Sequence, residues 1–171
     1  MASQFIHITL PDGTRKQVPA GCTVREALTP EGGRLDAKVL AAKINGEPMD
    51  LSRPLEQDAT IEPLTFESAE GREVYRHSST HIMAQAVKEV FPTAQLTIGP
   101  ALDDGFYYDF AFDRPFTPED LEKIEACAIE IMKRGLTVTR SELSKQDAIK
   151  FFQERGEGYK VELINSFDDA S

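Results

Sequence analysis

Basic residues are scarce in this chain. Its 171 residues contain 19 Lys and Arg against 29 Asp and Glu, which gives a formal net charge of −10 at pH 7. Phosphate contacts need clustered Lys and Arg, so this balance argues against a chain that binds nucleic acid by itself. It does not exclude a module that basic segments of a larger protein hold near RNA.

Cysteine is also rare, and long apolar runs are absent. Cys22 and Cys127 lie far apart and form no Cys-x-x-Cys pair, which favours free thiols in a reducing compartment. No apolar run approaches the roughly 20 residues of a membrane-spanning helix, and the N-terminus has no signal-peptide pattern. We therefore expect a cytoplasmic protein without a membrane partner.

Histidine is scarce too, yet two of the three histidines lie four residues apart, in His77-Ser-Ser-Thr-His81. The imidazole pKa near neutrality suits proton transfer, metal ligation or the positioning of water. On a helical wheel the apolar residues of 82–90 gather on one face, and both histidines fall almost opposite that face. The pattern predicts two histidines outside the core, which are either solvated or part of a site.

A zinc site built on these histidines is disfavoured. A zinc protease of the HExxH type needs a glutamate directly after the first histidine, and Ser78 occupies that position. A zinc ion also needs a third protein ligand, and His7, the two isolated cysteines and the acids have no diagnostic spacing. We expect no metal and no cofactor in this chain, with a metal-dependent hydrolase as an alternative.

The first 64 residues predict a small β-grasp sheet folded over one helix. Four segments are typical of strands; they are residues 4–10, a run ending at Val18, residues 39–44 and residues 58–64. A capping box at Thr23 and Glu26 marks the start of the helix. Tight turns are predicted at Pro11-Asp12-Gly13 and Asn45-Gly46. The predicted order is ββ-α-β-β.

The following segment begins with a helical pattern over residues 68–91, for which we expect an interruption near Ser78. Two short strands are predicted within residues 96–112, around Asp103-Asp104-Gly105. Alternation along a strand puts Tyr107 and Tyr108 on opposite faces, so we expect only one of them to line a site.

The remaining residues predict two more helices and two more strands. Thr117-Pro118 has the features of a helix start and Gly135 those of a helix stop. The buried stripe of that helix is predicted to be Leu121, Ile124, Ala128 and Ile131. A strand at 136–140, a helix that begins at Ser144 and a last strand at 159–164 complete an α+β pattern.

In its motifs the chain resembles threonyl-tRNA synthetases. Residues 1–64, with Ile8-Thr-Leu-Pro-Asp-Gly13 and Ala42-Lys-Ile-Asn-Gly46, are similar to a TGS domain, which is a ubiquitin-like β-grasp module. Residues 65–171 resemble the first part of the editing domain, through the HxxxH motif, Ile98-Gly-Pro and Asp104-Gly-Phe-Tyr-Tyr-Asp109. TGS domains also occur in some GTPases and stringent-response enzymes, but the chain has no GxxxxGK[ST] phosphate loop.

The resemblance implies hydrolytic proofreading of seryl-tRNA that has been formed on threonine tRNA. His77 and His81 would contact the terminal adenosine and help to position water. Tyr108 and Lys160 match pocket residues of the family and would line the same site. The parent enzyme would be a homodimeric ligase that attaches threonine to tRNA and uses ATP, magnesium and zinc.

One family element is missing from the 171 residues. The family completes the editing pocket with a downstream Asp-x-Cys-Arg-Gly-Pro-His sequence, which does not occur here. We therefore expect a truncated editing domain that folds but has little or no deacylase activity and binds tRNA weakly. The alternative is a freestanding TGS-containing binding or regulatory module without catalysis.

Overall fold

The structure, a computed structural model, describes residues 5–167. Gln4, at the start of the first predicted strand, and the outer ends of both predicted domains lie outside the described residues. The chain divides into two compact units between Tyr75 and Arg76. No helix of the described part combines the length and the apolar character needed to cross a membrane.

The first unit is a five-stranded mixed sheet with one short helix. In chain order its elements are β1 (Phe5–Thr9), β2 (Arg15–Pro19), α1 (Val24–Leu28), β3 (Ala41–Ile44), β4 (Glu47–Met49) and β5 (Ala59–Leu64). The strand order is β2-β1-β5-β3-β4, with β1 parallel to β5 and the other pairs antiparallel. This is the predicted β-grasp fold with one short strand, β4, that the sequence analysis missed.

Turn and cap chemistry explains why the first unit folds in this way. The side chain of Glu26 accepts a hydrogen bond from the Thr23 main-chain N–H at 2.7 Å, and the Thr23 hydroxyl accepts one from Glu26 N–H at 3.2 Å. Asn45 and Gly46 have φ of 52° and 92°, the left-handed pair that a tight hairpin needs. The alternating side chains of β1 then place Ile6 and Ile8 in the core beneath the sheet.

The helix α2 (Ala69–Val90) passes from the first unit into the second without a break, so the expected interruption near Ser78 is wrong. Its start depends on Ser68, whose hydroxyl accepts a hydrogen bond from Gly71 N–H at 3.1 Å. A Cβ on Gly71 would lie 1.8 Å from the carbonyl oxygen of Thr65. Only glycine fits this close approach.

The second unit continues from α2 with two short strands and three helices. They are β6 (Gln95–Leu96), β7 (Phe110–Ala111), α3 (Pro118–Arg134), α4 (Lys145–Glu154) and α5 (Gly158–Asn165). The strands β6 and β7 pair antiparallel as the base of the predicted hairpin. The α3 helix has the predicted start, where Thr117 and Asp120 form a capping box, and it ends at Gly135 with φ of 58°.

The buried stripe of α3 differs from the prediction at Leu121. Ile124 and Ile131 are buried and Ala128 is half-buried, whereas Leu121 is 57% exposed. The buried side of the helix is centred on Asp120, Ile124 and Ile131, and Leu121 lies about 90° away from that centre on a helical wheel. Asp120 is buried because its carboxylate pairs with Arg114 and caps the helix.

Two predicted strands are wrong. Residues 136–140 have no regular structure, and Val138 is 89% exposed. Residues 159–164 belong to the helix α5, which packs against α4. From the N-cap of α5 onward, the buried and half-buried residues are spaced by three and four, as on a helix. They are Glu157, Lys160, Val161 and Ile164.

Candidate functional site

The two predicted histidines form a contacting pair on α2. His77 and His81 are exposed, and their Nε2 atoms lie 3.1 Å apart. The two rings are perpendicular, with their centroids 4.7 Å apart. One turn of helix separates the residues, so the spacing of four in sequence produces this contact directly. The prediction that both histidines lie outside the core is confirmed.

Burial of α2 extends beyond its apolar face, to residues that lie near the histidines on the helical wheel. Thr80 and Ala84 are 1% and 4% exposed, although the helical wheel places Ala84 near the histidines. The buried Thr80 hydroxyl donates to the carbonyl oxygen of His77 at 2.7 Å, which satisfies it within the helix. The two histidines are therefore exposed side chains next to buried positions of the same helix.

The environment of His81 favours its neutral form. Although the residue is exposed overall, partial burial of its ring lowers its pKa below the ordinary value, and the charges of His77 and Lys160 lower it further. A neutral imidazole retains one nitrogen that can accept a proton or a hydrogen bond. The pair can therefore orient a water molecule near neutral pH, where an imidazolium could not accept from it.

The hairpin that follows α2 presents Tyr108 next to a glycine. Thr97 N–H donates to Asp109 O at 3.2 Å, and Asp109 N–H donates to Ile98 O at 2.9 Å, so the two arms run side by side. A Cβ on Gly99 would lie 2.1 Å from Cδ2 of Tyr108, which shows how closely the ring covers this position. Tyr108 is half-buried, while Tyr107 is 48% exposed. The two tyrosines thus differ as the alternation predicts.

Arg76 holds the tip of this hairpin. Its guanidinium donates to the carbonyl oxygen of Leu102 at 3.1 Å and to that of Asp103. Arg76 directly precedes His77 on α2. The arginine therefore ties the hairpin tip to the turn of helix that carries the histidine pair.

Lys160 joins α5 to the hairpin and to the histidines. Its Nζ donates to the carbonyl oxygen of Thr97 at 3.1 Å. Its charge is close enough to His81 to lower the imidazole pKa. The lysine therefore supplies a positive charge beside the pair, at the point where the hairpin begins.

Glu157 is a residue of this region that the sequence analysis missed. It is 8% exposed and pairs with Lys88 of α2, with Nζ and Oε1 3.1 Å apart. Burial raises the pKa of Tyr108, and the charge of Glu157 raises it further. No pattern in the sequence marks Glu157, because a glutamate between two glycines is typical of an exposed turn.

The four predicted site residues therefore lie on three elements of one unit. His77 and His81 touch, and Lys160, whose charge acts on His81, binds the start of the hairpin that carries Tyr108. Within residues 5–167, no three His, Cys, Asp or Glu side chains are grouped in a way that could hold a metal ion. The arrangement offers two contacting imidazoles, one of which, His81, favours its neutral form, together with one ammonium and one phenol.

Comparison with known proteins gives this arrangement a context. Residues 6–65 match the TGS domain family. Over 167 residues, 98% of the chain, the sequence is 52% identical to the threonine–tRNA ligase of Symbiobacterium thermophilum. This chain is homologous to threonine–tRNA ligases. Those of Citrifermentans bemidjiense and Acetivibrio thermocellus are 50% and 47% identical over 93% and 96% of the chain.

The chain spans about a quarter of the length of these ligases, since it covers 26%, 25% and 26% of the three relatives. The TGS domain contains all five strands of the β-grasp sheet, from β1 to β5. Its match ends at residue 65, whereas the two structural units divide after Tyr75. The division of the chain into residues 1–64 and 65–171 stays a prediction.

All four predicted site residues lie after the TGS domain. The similarity to threonine–tRNA ligases extends over them, because it covers nearly the whole chain. The candidate site therefore belongs to the region that this chain shares with the ligases and not with TGS-containing proteins in general.

Proposed function

We propose that this chain is the part of a threonine–tRNA ligase that carries proofreading residues, and that the site hydrolyses the ester of seryl-tRNA formed on threonine tRNA. The full ligase would attach threonine to that tRNA. The observation that carries the proposal is the contacting pair of His77 and His81 with Lys160 beside it. It lies in a sequence similar throughout to threonine–tRNA ligases.

The chemistry of the two amino acids supplies the need for such a site. Serine keeps the hydroxyl of threonine and lacks one methyl group. A difference of this size provides only about 1–3 kcal/mol of discrimination in a binding pocket. A ligase that selects threonine by its hydroxyl must therefore remove serine afterwards, by hydrolysis of the product ester.

The described residues suit ester hydrolysis by water. His81 is neutral near pH 7 because of its lowered pKa. Since the two Nε2 atoms contact each other, the pair has one ring nitrogen left that can accept a hydrogen bond from the attacking water and one N–H that can donate to the terminal adenosine. The ammonium of Lys160 can stabilise the negative charge that develops on the carbonyl oxygen. The Tyr108 hydroxyl, held in its neutral form by a raised pKa, can donate a hydrogen bond within the pocket.

The remainder of the pocket and the tRNA contacts would come from the larger enzyme. The 171 residues lack the Asp-x-Cys-Arg-Gly-Pro-His element, and their net charge is −10. We therefore infer that the isolated chain binds tRNA weakly and hydrolyses seryl-tRNA poorly. The ATP, magnesium and zinc of a threonine–tRNA ligase, and its dimer contacts, would likewise belong to the full enzyme and have no step in this mechanism.

A chimeric ligase tests the proposal. In the Symbiobacterium thermophilum enzyme, this chain replaces the matching region, and hydrolysis of purified seryl-tRNA is timed at pH 7.5. We expect His77→Ala with His81→Ala to slow hydrolysis by about 10²-fold or more. Rate of threonine attachment serves as the measure of correct folding.

The matched control is His7→Ala, which removes the one histidine outside the pair. It should leave hydrolysis unchanged. Hydrolysis at the rate of the unchanged chimera in the double variant would refute the proposal and favour a TGS-containing binding module without catalysis.

A further inference from the structure

The ammonium group of Lys88 has an acceptor for each of its three N–H groups inside the second unit. Its Nζ lies 3.0 Å from Pro92 O, 3.1 Å from Ala94 O and 3.1 Å from Oε1 of Glu157. A lysine has three N–H donors, and these three acceptors match them. Lys88 therefore connects the end of α2, the segment before β6 and the start of α5 at one point.

Glu157 is fixed by its main chain as well as by this ion pair. Its N–H donates to Phe152 O at 3.0 Å, and its carbonyl oxygen accepts from Lys160 N–H at 3.1 Å and from Val161 N–H at 3.2 Å. Glu157 thus stands at the N-cap of α5. Whatever holds Glu157 also holds the first turn of α5, which includes Lys160.

A buried pair of this kind is a poor source of stability. Only 10% of the Glu157 side chain is exposed, and among the described residues its Oε2 has no hydrogen-bond partner. Removing a charged group from water is costly before the attraction of its partner is counted, and apolar replacements of such pairs are often as stable. The pair is therefore better explained by what it positions than by the stability it adds.

What the pair positions is Lys160. From the first turn of α5, Lys160 reaches the carbonyl oxygen of Thr97 at 3.1 Å, and the same lysine stands beside His81. A shift of the α5 start would break this contact and move the ammonium away from the imidazoles. Lys88 and His81 lie two turns apart on one helix, so the Lys88–Glu157 contact fixes the distance between the α5 start and the histidines.

We propose that Glu157 and Lys88 are positioning residues, which hold Lys160 at the Thr97 carbonyl and beside the histidine pair. They touch no substrate themselves. The proposal rests on the proposed function of the site only for the role of Lys160 in hydrolysis. The placement of Lys160 is a property of the 171-residue chain and can be measured without tRNA.

The test is an NMR titration of the His81 imidazole in the 171-residue chain. The double variant Lys88→Met with Glu157→Leu removes one positive and one negative charge, so the net charge stays the same. If Lys160 moves away, the pKa of His81 rises, because one of the charges that lowers it is lost. The amide protons of Lys160 and Val161 should also exchange about tenfold faster or more, since they donate to the Glu157 carbonyl.

Glu157→Gln is the second variant, for the case in which the double variant does not fold. Loss of the Glu157 negative charge alone would lower the pKa of a neighbouring imidazole, whereas displacement of Lys160 raises it. The sign of the shift therefore separates the two effects. Lys160→Met gives the shift expected when the ammonium is absent altogether.

The control variant is Glu130→Gln, which breaks the exposed pair of Glu130 and Lys133 at 2.8 Å. It should leave the pKa of His81 and the α5 amide exchange unchanged. A His81 pKa that does not rise, together with unchanged α5 exchange, in either folded Glu157 variant would overturn the proposal. That result would leave the proofreading proposal intact, because no step of the measurement involves hydrolysis.

Discussion

At the scale of single residues, a glycine without positive φ determines where Tyr108 lies. The ring occupies the space that a Gly99 side chain would need, since a Cβ there would lie 2.1 Å from the ring. The ring also stacks on Phe110, with centroids 4.8 Å apart. The sequence Ile98-Gly-Pro and Tyr108, nine residues after Gly99, are therefore parts of one packing unit.

We predict that Gly99→Ala displaces the Tyr108 ring. Two atoms cannot occupy the same space, so the ring must rotate away or the hairpin must open, at a cost of about 1–3 kcal/mol of unfolding free energy. Urea unfolding measures the loss, and the NMR shifts of the Tyr108 ring report its movement. The matched control is Gly105→Ala at the hairpin tip, where an added Cβ meets no atom within 4 Å. Equal stability of the two variants would contradict this role for Gly99.

Sequence reasoning identified the histidine pair because its evidence is local. A spacing of four residues on a helix brings two side chains together whatever the rest of the fold does. Glu157 has no such local signal. Its importance comes from Lys88, which lies 69 positions earlier in the chain, and that contact depends on the packing of α5. Long-range ion pairs of this kind cannot be derived from spacing.

At the scale of helices and strands, caps and turns were predicted better than strands. The Thr23 and Thr117 caps follow from side chains that bond to their own backbone within three residues. The strands predicted at 136–140 and 159–164 are runs of only five and six residues, over which a sequence pattern is a weak signal. Packing against α4 overrides it in α5, and residues 136–140 pair with no strand of the described chain.

The helices α2 and α3 are tied together by a pair whose strength depends on pH. Both Glu89 oxygens accept from Arg134, each at 2.8 Å. The hydrogen bonds from Arg134 lower the pKa of Glu89 to about 2, with a further contribution from Gln85. Because the folded pKa lies below the unfolded value, the stabilisation is present above about pH 4.5 and is lost as the pH falls towards 2.

We predict that Glu89→Gln makes the unfolding of the second unit less dependent on pH in this acidic window. The variant has no carboxylate to protonate, so its stability should fall less steeply between pH 4.5 and 2 than that of the unchanged chain. Urea midpoints at several pH values measure the slope. Glu122→Gln on the exposed side of α3 is the control. A slope in Glu89→Gln equal to that of the unchanged chain would show that Arg134 does not stabilise the ionised form.

At the scale of the whole molecule, the two units have separate cores. One cluster contains Ile8, Val24 and Ile61, and the other contains Val87, Ile124 and Ile131. The TGS match covers the first cluster. All residues of the candidate site lie between positions 77 and 160, so the TGS domain supplies none of them.

This separation explains why fold and site differ in how far they could be predicted. The β-grasp order follows from short strands, two glycine turns and one capped helix that are close in sequence. The site combines α2, the hairpin and α5, which are up to 83 positions apart between His77 and Lys160. The contact between the two histidines follows from their spacing, but the contacts between the three elements could not be predicted from the sequence.

The most direct test measures what the chimeric ligase produces when it is supplied with serine, ATP and threonine tRNA. With His77→Ala and His81→Ala, seryl-tRNA should accumulate because it is no longer hydrolysed, while the rate of threonine attachment in a parallel reaction stays that of the unchanged chimera. If the variant attaches threonine normally and accumulates no more seryl-tRNA than the unchanged chimera, the histidine pair does not serve proofreading.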